Sequence, residues 1–175
     1  MIPTLETERL LMRAPRDDDF SVYAAFYADE EASYFYGGPL RADMAWRRLA
    51  SDLGHWQLRG YGIWALESRA DGGMIGGCGL LWPDGWPRSE LTWWLSPGAR
   101  GQGLATEASR AAIAFAYDVL TWDLVETHMD DRNEAARRLV LRLGGEVIAR
   151  EMFPDGRERD VFALPRAAED PQVRA

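Results

Sequence analysis

The sequence predicts a single mixed α/β domain in which helices cover both faces of a central sheet. Short apolar runs are separated by Asp-Gly-Gly and Pro-Asp-Gly turns, a pattern typical of antiparallel strands. Other segments repeat apolar residues at the helical period. A chain of 175 residues, of which 47% are hydrophobic and 27% charged, is long enough to bury one sizeable core.

The N-terminal part of the chain predicts one strand followed by two helices. Residues 8–14 alternate in part between apolar and polar side chains and predict the first strand. The aspartates at 17–19 offer N-cap and first-turn carboxylates, which favour a helix that runs to about Ala28. The segment YFYGGP at 34–39 breaks the helical pattern, and a second helix is predicted over residues 41–58.

The middle of the chain predicts a three-strand meander. Its strands cover residues 61–67, 74–82 and 89–95, and the connections between them are too short for parallel crossovers. A glycine-rich loop then leads into a helix from Leu104 to Val119.

The C-terminal part predicts a further strand, a helix and a closing hairpin. The strand at 124–129 is expected to complete a right-handed parallel crossover with the meander's last strand. A helix over 134–143 and a hairpin formed by 145–153 and 157–164 follow. We expect one domain over residues 1–166 and a flexible tail at 167–175.

Composition excludes several classes of protein. No apolar run approaches the ~20 residues that cross a bilayer, and the N-terminus does not resemble a signal peptide, so a cytoplasmic protein without a membrane partner is expected. The net charge of -8 argues against nucleic-acid binding. All 20 basic residues are arginine, which excludes a lysine Schiff base and a Walker lysine. The single cysteine, Cys78, is expected to pack as a small buried residue.

The segment PGARGQGLATEA at 97–108 is the candidate binding loop. A strand that leads through glycines into a helix presents free backbone amides and the positive end of the helix dipole, which suit an anion. The residues alone leave open whether this loop binds phosphate or is only a glycine-rich turn. The dinucleotide fingerprint GxGxxG is not matched, because Thr106 stands where its third glycine is needed.

The loop Arg100-Gly101-Gln102-Gly103-Leu104-Ala105 resembles the pyrophosphate loop of the GNAT superfamily, the acetyl-CoA-dependent N-acetyltransferases. TERLLMRAPRDDD, ELTWWLSPGARGQGLATEA, NEAARRLVLRLGG and RDVFAL extend the resemblance to the branch that contains ribosomal-protein N-terminal acetyltransferases. The resemblance implies a GNAT-type fold, with a central twisted mixed sheet of about seven strands and helices on both faces. It also implies a V-shaped splay between the fourth and fifth strands, here 89–95 and 124–129, in which acetyl-CoA binds.

The resemblance implies acetyl-CoA as the acyl donor and no metal. Loop amides would bind the pyrophosphate, and the backbone near Leu95 would pair with the pantetheine arm and stabilise the thioester oxyanion. Arg100 would contact phosphate and shape the loop, or be a solvated loop arginine. Asn133 would lie near the pantetheine, or be an ordinary helix N-cap. The implied cofactor-binding residues are Leu95, Arg100, Gly101, Gln102, Gly103, Leu104, Ala105, Thr106 and Asn133.

Acetyl transfer requires an amine without its extra proton, and therefore a general base. Many relatives place a carboxylate on the strand at 89–95, which makes Glu90 the candidate base; an ion-paired structural glutamate is the alternative. The general acid stays unassigned, because Val140 and Ala136 stand where relatives carry a tyrosine or a serine. His128 could reach the cleft, although a lone strand histidine is more often structural, and neither it nor His55 has metal-site spacing.

Aromatic residues are the candidate acceptor site. The segment between the first two helices overhangs the acceptor in relatives, so Tyr34, Phe35, Tyr36 and Trp46 could hold an amine by cation–π contact. Alternatively, these side chains pack the two helices on the sheet. Other tryptophans, at 64, 82 and 93, are expected in the core or in an interface.

The function that the resemblance implies is transfer of an acetyl group from acetyl-CoA to a primary amine of a small molecule or a protein N-terminus, by direct attack in a ternary complex. A non-catalytic acyl-CoA-binding sensor, or a transferase that uses another acyl-CoA, is the alternative. The acceptor is not determined by fold. Oligomeric state is open, since exposed tryptophans could line a homodimer interface.

Overall fold

The structure, a computed structural model, describes residues 1–166, and the predicted tail at 167–175 lies outside the described residues. The strands are β1 (Leu5–Glu6), β2 (Leu10–Arg13), β3 (Ile63–Ser68), β4 (Met74–Leu81), β5 (Glu90–Leu95), β6 (Val125–His128), β7 (Glu146–Met152) and β8 (Glu158–Leu164). The helices are α1 (Phe20–Ala28), α2 (Glu30–Ser33), α3 (Ala42–Arg59), α4 (Leu104–Asp118) and α5 (Glu134–Arg142).

Within residues 1–166 the strands form two sheets, one in the order β1-β2-β3-β4-β5 and the other in the order β6-β8-β7. Every strand pair in them is antiparallel. The predicted order of elements is confirmed, with β1 and α2 as additions. Both are too short to produce a strand or helix pattern, at 2 and 4 residues respectively.

The two sheets meet at β5 and β6 without a hydrogen-bonded ladder between them in the described chain. The two strands touch where the Thr127 hydroxyl donates to the carbonyl of Leu91 at 2.8 Å. The expected splay between these strands is therefore present. Among the described residues, the strands on the two sides of this splay belong to two antiparallel sheets.

The register of β5 decides which of its backbone groups face this gap. The amide of Ser96 donates to the carbonyl of Ile75, so Ser96 is a hydrogen-bonded position of the β4–β5 pair. Trp94, two residues before Ser96, pairs with Gly77. Bonded and non-bonded positions alternate along an antiparallel pair. The amides of Trp93 and Leu95 therefore point away from β4 and into the gap.

Helices cover both faces of the larger sheet, as predicted. On one face Leu91 and Leu95 belong to a cluster with Ala108 and Ala112 of α4. On the other face Trp94 packs with Tyr23 and with other side chains of α1 and α3. Strand alternation thus directs β5 towards the two helical layers in turn. Among residues 1–166, the helices include none that is long and apolar enough to span a membrane.

The three aspartates that predicted a helix start precede α1, but the side chain of Asp19, its N-cap residue, makes no capping hydrogen bond to it. They form a 3-10 turn, Asp17–Asp19, immediately before α1. The carboxylate of Asp19 is buried and accepts two hydrogen bonds from the Arg13 guanidinium, at 2.9 and 2.7 Å. This ion pair fixes the start of α1 against the end of β2.

Candidate active site

A cleft of about 680 Å³ opens where β5 and β6 separate, between the α2–α3 segment and the β7–β8 hairpin. Glu90 lines it together with Tyr34, Phe35, Tyr36 and Asn133. The structure therefore brings the candidate base, most of the candidate acceptor residues and one candidate cofactor residue to the same cavity.

Trp46 is the predicted acceptor residue that the structure does not bring to the cleft lining. It lies on α3 with 51% of its surface exposed, whereas the neighbouring Ala45 is fully buried. Successive helical residues are about 100° apart, so the side that buries Ala45, Leu49 and Trp56 directs Trp46 outwards. The prediction that Trp46 belongs to the acceptor pocket is corrected by this geometry.

Glu90 and His128 form a close pair across the gap between β5 and β6. Glu90 Oε2 lies 2.7 Å from His128 Nε2, and the two side chains are 15% and 7% exposed. The same nitrogen accepts a hydrogen bond from Trp86 Nε1 at 3.2 Å. Trp86 and Glu90 therefore converge on the same ring nitrogen of His128.

Aromatic packing holds His128 in place. The centroid of its ring lies 4.1 Å from that of Phe153, and Trp86 stacks on the same phenylalanine at 5.7 Å. Phe153 is buried at the end of the β7–β8 hairpin. Sequence patterns cannot predict this arrangement, because the three rings come from three separate parts of the chain.

Arg88 ties together the strands that carry the pair. Its guanidinium donates to Glu126 on β6 at 2.5 Å and to Glu151 on β7 at 2.9 and 2.6 Å. Hydrogen bonding to Glu151 and the charges of both carboxylates raise the pKa of Arg88, so the guanidinium stays charged. This network positions the start of β5, and with it Glu90.

Asp52 is a cleft residue that the sequence reasoning missed. It lies on α3, half-buried, and accepts a hydrogen bond of 2.8 Å from the hydroxyl of Tyr23. Burial raises the pKa of Asp52 to about 6, partly opposed by that hydrogen bond and by Arg48. Its position in the sequence could have identified it, because Asp52 falls between Leu49 and Trp56 on the apolar side of the helix.

The glycine-rich loop has the backbone geometry that an anion site requires. Gly101 and Gly103 have φ values of 76° and 79°, which favour glycine, and α4 begins directly afterwards at Leu104. The amides of the first helical turn have no intrahelical acceptors. Residues 101–103, which lead into this first turn, are exposed and lie at the positive end of the helix dipole.

The N-terminal segment braces this loop, a contact that the sequence reasoning did not identify. Arg9 donates through Nη1 to the carbonyl of Gln102 at 2.8 Å and through Nε to Glu107 at 2.7 Å. Glu107 also accepts from the Thr7 hydroxyl at 2.6 Å. Burial alone would raise the pKa of Glu107, but the hydrogen bonds from Thr7 and Arg9 keep it below its usual value.

Arg100 turns towards the protein. Its Nε donates to the carbonyl of Leu95 and its Nη2 to the carbonyl of Ala32, both at 3.1 Å. The side chain therefore joins the end of β5 to α2, which is the loop-shaping role considered for it. Leu95 itself contributes a backbone amide that faces the gap, the position at which an acyl oxygen would require a donor.

Asn133, at the start of α5, is also predicted to contact the cofactor. The side chain of Asn133 accepts a hydrogen bond from the amide of Ala136 at 3.1 Å, so it is the helix N-cap, and it also lines the cleft. Ala136 and Val140 are 7% and 0% exposed. Neither position offers a proton donor to the cleft.

The aromatic segment that precedes α3 covers one side of the cleft. Tyr34 and Phe35 are 50% and 39% exposed, and Tyr36 is half-buried. The Tyr34 hydroxyl accepts a hydrogen bond from Arg132 Nη1 at 2.8 Å. This contact joins the segment to the loop that follows β6 and bridges the mouth of the cleft.

The remaining candidates have structural contacts. His55 Nδ1 lies 2.7 Å from the carbonyl of Tyr61, and its Nε2 accepts from the amide of Trp82 at 3.0 Å. Cys78 is buried, which raises the pKa of its thiol to about 12. Trp64 is fully buried in the core, whereas Trp82 is 41% exposed. In the part of the chain that the structure describes, no group of His, Cys, Asp and Glu could hold a metal ion.

Comparison with known proteins identifies the family. A family model described as an acetyltransferase (GNAT) domain matches residues 9–146. The chain belongs to the GNAT acetyltransferase family. Its predicted fold and its assignment as an acetyltransferase are thereby confirmed.

Relatives of this GNAT protein include the uncharacterized N-acetyltransferase YoaA of Bacillus subtilis (strain 168), 24% identical, with 97% of this chain and 100% of the relative covered. A crystal structure of an acetyltransferase from Agrobacterium tumefaciens str. C58 is 30% identical, has a TM-score of 0.86, and the match covers 94% of this chain and 95% of that chain. RimL, a ribosomal L7/L12 alpha-N-protein acetyltransferase solved with coenzyme A, shares the fold at 14% identity with a TM-score of 0.74, over 95% of this chain and 99% of that chain.

Proposed function

We propose that this acetyltransferase moves an acetyl group from acetyl-CoA to a primary amine by direct attack in a ternary complex. The observation that carries the proposal is the Glu90–His128 pair, which lies in the cleft where β5 and β6 separate. An acceptor in the cleft and a thioester in the gap would meet beside β5. The amine could then attack the carbonyl carbon without a covalent enzyme intermediate.

Residues of the glycine loop and the gap would hold the acetyl-CoA co-substrate. The amides of 101–105, with Thr106 in the first turn of α4, suit the pyrophosphate. The Leu95 amide faces the gap and suits the acyl oxygen, whose negative charge grows as the amine attacks. Arg9, which is half-exposed beside Gly103, adds positive charge at the same loop. No metal takes part in the proposed chemistry.

Glu90 is the proposed general base. Acceptor amines carry a proton at neutral pH, because an α-amino group has a pKa near ~8 and a lysine side chain near ~10.4. Glu90 would accept that proton, directly or through a water molecule. His128 positions the carboxylate and, at 2.7 Å, can share the proton that Glu90 accepts.

A second candidate function is an acyl-CoA sensor without catalysis. The observation that favours it is the pair of buried apolar residues, Ala136 and Val140, at positions where relatives carry proton donors. A third candidate function is transfer from a different acyl-CoA, since the residues at the gap do not indicate which length of acyl group would fit.

The acceptor proposed here is a primary amine on a small molecule or on a protein N-terminus. The carboxylates of Glu90 and Asp52 and the aromatic segment at 34–36 all line the cleft and suit a cationic group. A cytoplasmic location belongs to the same proposal, as does a homodimer, for which exposed tryptophans such as Trp46 could supply an interface.

The test is release of free CoA thiol from acetyl-CoA in the presence of N-terminal peptides, polyamines, aminoglycosides and amino acids. The proposal expects turnover with at least one class of amine and acetylated product in equal amount. Tight acetyl-CoA binding with no thiol release across the panel would favour the sensor. Faster turnover with succinyl-CoA than with acetyl-CoA would replace the donor.

A further inference from the structure

The leaving group of the proposed reaction has no assigned proton donor. A free thiol has a pKa of about 8.5, so at neutral pH the departing thiolate takes up a proton, and a positioned donor would accelerate its departure. Ala136 and Val140, on the helix next to the gap, carry no proton that they could give. A donor must therefore come from another element.

Tyr36 lines the cleft and packs against the cluster that contains Trp94 of β5. It is half-buried in the cleft, and its ring packs edge-on against Phe26, with 5.4 Å between the centroids. Phe26 packs in turn on Trp94 at 4.5 Å. Trp94 precedes Leu95, whose amide faces the gap. The Phe26 ring thus lies between the ring of Tyr36 and that of Trp94, which is next to the part of β5 where the thioester would bind.

The hydroxyl of Tyr36 is free to act. Among residues 1–166 it makes no hydrogen bond, whereas Tyr23 donates to Asp52 and the hydroxyl of Tyr34 accepts from Arg132. Burial raises the pKa of Tyr36 to about 12, although the nearby charge of Arg100 opposes the rise. The phenol therefore keeps its proton throughout the neutral range.

The segment that carries Tyr36 is fixed to the cofactor loop. Arg100 bonds the carbonyl of Leu95 with one nitrogen and that of Ala32 with another, both at 3.1 Å. The chain then turns through Ser33, whose hydroxyl donates to the carbonyl of Asp29 at 2.7 Å. Gly37, at φ 80°, reverses its direction directly after Tyr36. The segment that carries Tyr36 is thus joined at Ala32 to the arginine that shapes the end of β5.

We propose that Tyr36 is the catalytic proton donor to the thiolate of CoA. The inference rests on the proposed acetyl transfer. Glu90 first takes the extra proton of the ammonium group and releases it to solvent. The neutral amine nitrogen then forms its bond to the carbonyl carbon and gives a second proton to Glu90. The carbon–sulfur bond breaks, and its electron pair stays on sulfur, which takes the phenolic proton. Tyr36 regains a proton from solvent and Glu90 gives one up, so that the products are the amide and the free thiol.

The experiment compares Tyr36→Phe with Tyr61→Phe in single-turnover transfer from acetyl-CoA. Tyr61→Phe is the matched control, because it removes the hydroxyl of another half-buried tyrosine, one that does not line the cleft. Tyr36→Phe should slow the single-turnover rate by about 10²-fold with acetyl-CoA affinity unchanged. Tyr61→Phe should stay within about threefold of the unaltered protein.

A series of Tyr36 analogues of different acidity distinguishes proton donation by the phenol from a packing role of the ring. Fluorotyrosines at position 36 keep the ring and increase the acidity of the phenol, so the single-turnover rate should rise with that acidity. A rate that does not respond to phenol acidity, or a Tyr36→Phe variant as fast as the unaltered protein, overturns the role of Tyr36 alone. Absence of thiol release by the unaltered protein across the amine panel removes the acetyl-transfer proposal itself.

Discussion

Glu90 on β5 and His128 on β6 approach to 2.7 Å, although no ladder joins their strands in the described chain. The contact bridges the two sheets at the opening of the cleft. It pairs a carboxylate with an imidazole ring across the gap.

Replacing Glu90 by Gln should lower kcat by about 10²-fold near neutral pH, because an amide cannot accept the proton of the amine. Acetyl-CoA affinity, measured by calorimetry, should not change. Glu158→Gln is the control, since Glu158 is exposed on β8 and its salt bridge to Arg150 is long, at 3.6 Å. A Glu90→Gln enzyme with an unaltered pH–rate profile would remove Glu90 from the mechanism.

His128→Gln should also lower kcat, and the double variant with Glu90→Gln should be little slower than Glu90→Gln alone. Groups that act as a unit show such non-additive losses. Steady-state kinetics on the four proteins of this cycle gives the coupling directly. Fully additive losses would mean that the short contact between the two side chains has no part in catalysis.

Gly103→Asp should abolish acetyl-CoA binding measured by calorimetry. The change places a negative charge where the pyrophosphate would lie and forces a side chain into a backbone conformation with φ 79°. Gly72→Asp is a matched control, because Gly72 has φ 73°, has open space around it, and lies in the β3–β4 turn. Unchanged affinity in Gly103→Asp would contradict the assignment of the loop.

Variants of Asn133 separate its two roles. Asn133→Ala removes the acceptor for the Ala136 amide and should destabilise the protein by about 0.5–2 kcal/mol in urea unfolding. Asn133→Ser keeps a capping oxygen, so its stability should be near that of the unaltered protein. If Asn133 also binds the pantetheine, Asn133→Ser should still weaken acetyl-CoA binding. Full affinity in that variant would leave Asn133 as an N-cap alone.

Asp52→Asn should stabilise the protein at pH 7.5 by about 1–2 kcal/mol, after allowance for solvent screening. Burial raises the pKa of Asp52 to about 6, above the ~3.9 of an unfolded aspartate, so folding favours the protonated carboxyl. The stability that this gives is complete below about pH 4 and is lost as pH rises through 6.

Urea unfolding at pH 4 and pH 7.5 checks the Asp52 prediction. The gain from Asp52→Asn should shrink towards zero at the lower pH, because the native carboxyl is then protonated. Asp84→Asn, in an exposed loop, should change stability by less than about 0.5 kcal/mol at both pH values. An Asp52→Asn protein that is less stable at pH 7.5 would contradict the raised pKa.

Local patterns were sufficient for much of the fold. The helical period gave α3 and α4 to within a residue or two, and the Asp-Gly and Pro-Asp-Gly turns separated the strands of the meander. Glu90 was predicted because relatives carry a carboxylate on the strand at 89–95, and the structure places it in the cleft. Trp46 was misplaced, because the helical period alone did not show which side of α3 faces the cleft.

By itself, the sequence determined the order of the elements, the glycine loop at 101–103 and the absence of tyrosine and serine at 140 and 136. These features depend on residue identity and short-range geometry. Only the tertiary structure decided that His128 meets Glu90, that Asp52 enters the cleft and that the hydroxyl of Tyr36 has no hydrogen-bond partner within residues 1–166. Each of these depends on contacts between segments distant in sequence, where packing of the two sheets and of the α2–α3 segment sets the geometry, and local periodicity contains no information about it.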